Sequence, residues 1–136
     1  MTALSANLDT ERKDGEMISY PVLATETIYK GALVVDLDTG YASAGTDASG
    51  NISLGVAVEK SDNASGSDAD KAVRVYKKGT FVFSKTTAVQ TDVGVPMYIT
   101  DDQTVATSSS YSILAGYCVS IPDSSHVRIR IDAAVR

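Results

Sequence analysis

A chain of 136 residues that is 43% hydrophobic can bury one core but is too short for two ordinary domains. Seventeen acidic against twelve basic residues give a formal charge of -5, so the molecule repels phosphate backbones and anionic lipid, and neither nucleic acid nor a membrane is an expected direct partner. Cys118 is the one cysteine and His126 the one histidine, which excludes an intramolecular disulfide and a Cys/His zinc set and suits folding in a reducing cytoplasm.

The first residues show no positive stretch followed by an apolar run, so no signal peptide is expected, and no segment is long enough to cross a bilayer. Residues 1–16 hold few large apolar side chains and a charged run from Asp9 to Glu16. Burial cannot offset the entropy of ordering them, so they read as an extended arm that orders across a partner, with Leu4 and Leu8 as anchors. Residues 17–136 read as a single β-rich domain.

Residues 17–22 are strand-like, with Pro21 confined to an edge or strand end because it lacks an amide donor. Strands follow at 27–31 and 33–37, a turn at Asp38-Thr-Gly40, and a strand at 41–43. After the turn cluster 46–51, residues 52–59 form a strand expected to carry Leu54, Val56 and Val58 on one face. Gly55 then lies on the other, where a missing side chain marks a bulge or a close backbone approach. Residues 61–70 contain no large apolar side chain and read as an exposed loop. Residues 72–77 alternate Val73 and Val75 inward with Arg74 and Tyr76 outward, Lys78-Gly79 turns the chain, and 80–84 alternates through Phe81 and Phe83. One helical turn is allowed within 86–92, ended by Gly94. Strands at 96–100, 103–107, 113–121 and 126–132 complete the chain.

The pattern is written twice. Gly31-Ala-Leu-Val-Val-Asp, Leu54-Gly-Val-Ala-Val and Val73-Arg-Val are echoed by Gly94-Val-Pro-Met-Tyr-Ile, Ala115-Gly-Tyr-Cys-Val and Val127-Arg-Ile. Short strands, β-branched and Tyr side chains, and no helix to cross between parallel strands predict an all-β fold: a small barrel or sandwich of two similar halves.

Chemistry is sparse. A nucleophile needs a base, and His126 lies too close in sequence to Ser124 and Ser125 for an ordinary triad, so no catalytic residue is assigned. A small hydrolase working through His126 remains a rival that His126→Ala would test. No phosphate-cradling glycine loop is present, and no cofactor is expected. The pairs Asp36/Asp38, Asp68/Asp70 and Asp101/Asp102 read as turn formers, with an adventitious ion at residues 62–70 as the alternative; no metal ligand set is assigned. Cys118 sits in an apolar strand and reads as a buried thiol. The seven tyrosines supply candidate contact residues for a protein partner.

The polar arm, Lys30-Gly-Ala-Leu-Val-Val-Asp, Ser53-Leu-Gly-Val-Ala-Val-Glu, Asp62-Asn-Ala-Ser-Gly, Val73-Arg-Val-Tyr-Lys-Lys-Gly-Thr-Phe, Val93-Gly-Val-Pro-Met-Tyr and Leu114-Ala-Gly-Tyr together resemble the head decoration, or capsid cement, proteins of tailed bacteriophages. The resemblance covers roughly residues 20–132. It implies a β-tulip-like domain, made in the host cytoplasm, that assembles as a homotrimer on the outer surface of the virion capsid and holds neighbouring major capsid subunits together. On that reading the arm contacts the major capsid protein through Leu4, Leu8, Arg12, Lys13, Met17 and Tyr20, and the loop at 61–70 faces outward. A receptor- or glycan-binding module of a phage tail or bacterial surface is the alternative, distinguished by binding to cells or sugars but not to heads.

Overall fold

The computed structural model describes residues 3, 5–7 and 15–136. Among the described residues twelve strands follow in order: β1 Met17–Pro21, β2 Thr27–Ile28, β3 Leu33–Asp36, β4 Ala42–Ala44, β5 Ile52–Ala57, β6 Ser61–Asp62, β7 Ala72–Tyr76, β8 Thr80–Ser84, β9 Pro96–Ile99, β10 Val105–Ala106, β11 Leu114–Asp123 and β12 His126–Arg130. The allowed helical turn is a 3₁₀ turn at Gln90–Asp92, followed by Gly94 at a φ of 84°.

The first half forms a five-stranded sheet in the order β1-β7-β5-β3-β4, and the second half a sheet in the order β8-β12-β11-β9-β10; β2 and β6 make a separate pair. The two orders are the same path drawn twice. Shared details extend to single hydrogen bonds: Gly31 N–H donates to the Ala57 carbonyl at 3.0 Å as Gly94 N–H donates to the Cys118 carbonyl at 2.7 Å. Parallel bridges join Val22 to Ala42 in one half and Ser84 to Thr104 in the other. The expected all-β fold of two similar halves is therefore what forms, although neither sheet closes into a barrel. Among the described residues β1, β4, β8 and β10 are the outermost strands of the two sheets, and Pro21 ends the edge strand β1 as its missing amide requires.

The expectation that Leu54 and Val56 share a face is corrected. Val34 pairs with Gly55 but Val35 pairs with Ser53, so Leu54 is an extra residue in the ladder and the period-2 alternation breaks there. Leu54 enters the core of the first half with Val34, Ala57, Val73 and Val75. Val56 enters a second core with Leu33 and Val35, packed on Phe83, Met97, Ile99, Val127 and Ile129 of the second sheet. The first sheet is thus buried on both faces: one over its own core, the other against the inner face of the second sheet. Each such aliphatic side chain taken from water contributes about 1.5–3 kcal/mol, so Leu33, Val35 and Val56 bond the two halves firmly.

The loop at 61–70 is exposed along most of its length but is not featureless. Asn63 is fully buried, and its side-chain amide donates to the carbonyls of Val22, Leu23 and Ser67 at 3.3, 3.0 and 2.9 Å. The loop is pinned across the first core by one polar side chain.

Candidate functional site

The proposed arm meets the folded body at the edge strand β1. Met17 opens this strand opposite Tyr76 and is 45% exposed. The main-chain N–H of Lys77 donates to the Glu16 carbonyl at 2.8 Å, and the Glu16 carboxylate stands 3.0 Å from the Lys78 ammonium. Residue 16 is therefore held beside the turn that joins the two sheets. Among the described residues no strand pairs with the outer edge of β1, the arrangement that accepts an added strand. Leu4, Leu8, Arg12 and Lys13 lie outside the described residues.

Tyr20, three residues along and on the opposite face of β1, packs against the first core. Its hydroxyl accepts a hydrogen bond from the Lys77 ammonium at 2.7 Å, and that ammonium lies 4.8 Å from the ring centroid. The same ammonium donates to the main-chain oxygens of Leu54 at 2.6 Å and Arg136 at 2.7 Å. Lys77 thus clasps the root of the arm, the bulge in β5 and the last segment of the chain. Tyr20, expected as a contact residue of the arm, is instead turned into the body, and no sequence pattern marks Lys77.

A cleft of about 560 Å³ lies between residues 29–32 and the second sheet, lined by Lys30, Ser84, Asp102, Gln103 and His126 among others. His126 resembles the centre of a triad only by composition. The Asp123 carboxylate at 2.8 Å and the Ser125 hydroxyl at 3.2 Å both approach Nδ1, whereas a relay needs the nucleophile on one ring nitrogen and the orienting acid on the other. The group closes the β11–β12 turn instead: the Ser125 N–H on Asp123, reinforced by His126, holds that carboxyl below the usual carboxylate range. Cys118 is buried, and desolvation pushes its thiol up, away from the activated state.

One aspartate of each acidic pair closes a turn, whereas Asp68 accepts from the distant Ala24 N–H at 2.8 Å. Asp36 accepts from the N–H groups of Thr39 and Gly40, Asp70 from Ser67, Asp101 from Gln103, and Asp62 from Ala64. Among the described residues no group of three metal-ligating side chains converges, and no helix is long and apolar enough to cross a membrane.

Residues 13–133 match the family model described as phage cement protein, and the chain belongs to that family, whose role is structural and tied to the phage capsid rather than catalytic. Among solved structures the chain is similar to the head fiber gp8.5 N base of bacteriophage phi29, with a TM-score of 0.51 and 19% identity over 88% of this chain and 98% of that one; the likeness concerns the fold. No curated protein matches the chain.

Proposed function

We propose that this protein sits on the outer surface of the phage head as a homotrimer and cements neighbouring major capsid subunits through its N-terminal arm. The observation that carries the reading is the place where residue 16 is fixed, beside the edge strand β1 and at the junction of the two sheets. From there residues 1–16 span up to about 50 Å when extended, enough to cross from the body onto a capsid subunit. Leu4 and Leu8 supply apolar anchors, Arg12 and Lys13 supply charge, and Met17 stands exposed at the root. Tyr20 acts from within the body by holding Lys77.

Cementing is a mass-action effect. A ligand that binds only the assembled lattice stabilises it by about 2.7 kcal/mol when present at a hundred times its dissociation constant. Three arms on one trimer raise the effective concentration of the second and third contacts. No substrate, cofactor or metal enters this mechanism.

Removal of residues 2–16 tests the arm. The truncated protein should keep its fold and its oligomeric state but fail to co-sediment with purified heads that lack the protein; normal co-sedimentation would refute the arm model. The loop at 61–70 is placed on the side facing away from the head, so a short tag between Ala64 and Ser65 should leave head binding intact.

A further inference from the structure

The second copy of the repeat departs from the first at one polar spot. Where the first sheet sets Pro21 opposite Ala72, the matching register of the second sets Ser84 opposite His126, so the scaffold itself needs no polar group at these posts. Ser84 and His126 line the cleft of about 560 Å³ described above, together with Lys30, Asp102, Gln103 and the ring of Tyr29. Asp36, Asp62, Asp70 and Asp101 are engaged in turns. The side chains of Lys30, Ser84 and Gln103, by contrast, make no hydrogen bond or ion pair with any described residue. The main chain beneath them is nonetheless fixed: the Asp102 carbonyl accepts from the Leu33 N–H at 2.8 Å, and the Gln103 carbonyl from the Ser84 N–H at 2.9 Å. His126 is oriented as well. Its Nδ1 meets the Asp123 carboxylate at 2.8 Å, so in the neutral imidazole the proton sits on Nδ1 and Nε2 is left as an acceptor.

We infer that this cleft binds a neutral saccharide. A cation and an anion, Lys30 and Asp102, line the same cleft, so a charged ligand of either sign gains one partner but meets one like charge. A neutral ligand is free of that conflict. Around the two charges stand an imidazole nitrogen that accepts and an amide and a hydroxyl that both donate and accept. A ring of hydroxyl groups, each able to do both, satisfies such a mixed set, whereas an apolar ligand would strip water from these groups and replace it with nothing. Tyr29 supplies the remaining element. It is 58% exposed, and the Lys60 ammonium 5.2 Å from its centroid steadies the ring. Its apolar surface suits the C–H face of a pyranose, as does the exposed Val82 side chain at the same cleft. The volume is that of a small-molecule site.

Saturation-transfer NMR of the full chain with maltose, cellobiose, lactose and N,N′-diacetylchitobiose tests the inference. At least one of these sugars should receive saturation from the protein and shift the amide signals of residues 29–32 and 102–103. Tyr29→Ala and Gln103→Ala should each weaken that binding about tenfold or more, and Tyr111→Ala, at an exposed tyrosine away from the cleft, should leave it unchanged. Tyr29→Ala should co-sediment with heads as the wild type does, which separates this site from the cementing contact. Three results would overturn the inference: none of the sugars shifts those signals, a folded Tyr29 variant binds sugar as tightly as the wild type, or glucuronate or an oligoglutamate peptide takes the cleft more tightly than every neutral sugar. Loss of head binding in Tyr29→Ala would overturn it too, by making the cleft a capsid contact, while a sugar-binding wild type that ignores heads would sink the cement reading alone.

Discussion

Gly55 and Gly116 hold the same post in the two sheets: a Cβ on Gly55 would fall 2.0 Å from the Tyr76 carbonyl oxygen, and one on Gly116 would fall 2.3 Å from that of Arg130. Each glycine follows the extra residue of its bulge, and the neighbouring strand runs through the space a side chain would need. Because the obstacle is backbone, no rotamer change relieves it.

Gly55→Ala and Gly116→Ala should therefore each cost about 2–4 kcal/mol, read as a drop in urea midpoint. Gly40→Ala makes the comparison sharp. Gly40 also has a positive φ, 87°, but a Cβ there meets nothing within 4 Å, so its cost should stay near 1 kcal/mol, about that of the left-handed conformation alone. Equal losses at Gly40 and Gly55 would show that close approach is not what selects glycine in the bulges.

Lys77 offers a second test, because its three acceptors come from three separate parts of the chain. Lys77→Met keeps the aliphatic stem and removes the donor, leaving the half-buried Leu54 carbonyl without its partner. The expected loss is about 1–3 kcal/mol, with faster amide exchange at Arg136, whose N–H is held by the Ser53 carbonyl at 3.0 Å. Unchanged exchange at Arg136 would mean that the clasp does not secure the end of the chain.

Much of this architecture is legible in the sequence for a simple reason: alternation at Val73 and Val75, and again at Val127 and Ile129, reports a strand with one buried face. The repeat of Gly31 at Gly94 and of Gly55 at Gly116 reports the duplication. Leu54 defies the pattern because a bulge breaks the very period that assigns faces. Asn63 and Lys77 are not legible in the sequence, because a polar residue in a polar stretch looks solvated until its acceptors, distant in sequence, are brought to it. That Val56 is buried while Tyr117, at the matching post of the second sheet, is exposed is likewise invisible locally, since it depends on which half docks on which.

Asn63 carries a prediction of its own. Asn63→Ala removes three hydrogen bonds to carbonyls of the segments at Val22, Leu23 and Ser67, and the expected loss is about 2 kcal/mol or more. Asn63→Asp should be worse at neutral pH, because a carboxylate would face those same carbonyls, and should improve as the pH falls and the group protonates. Gly66→Ala should mimic Asn63→Ala, since its Cβ would lie 2.0 Å from the Asn63 side-chain oxygen. Proteolysis within 61–70 would report all three.

Two aspartates set opposite responses to acid. Asp92 accepts from the Val89 N–H at 3.1 Å and pairs with Lys85 at 3.2 Å, both side chains nearly buried. The Val89 N–H first, and Lys85 after it, hold its carboxyl below the usual range against the opposing effect of burial. A depressed folded value means that the stabilisation is present above the unfolded value of about 3.9 and is lost as the pH falls through the folded one. Asp102 is the reverse: burial, then the neighbouring Asp101 and Glu26, push its carboxyl up, so its charge is a cost at neutral pH that protonation relieves. Asp92→Asn should accordingly lower stability at pH 7, by about 1–3 kcal/mol, with the deficit shrinking under acid. Asp102→Asn should raise stability at pH 7, and that gain should vanish below about pH 4. Urea titrations of both variants across pH 3–7 read the two slopes directly, and slopes of the same sign would contradict the assigned environments.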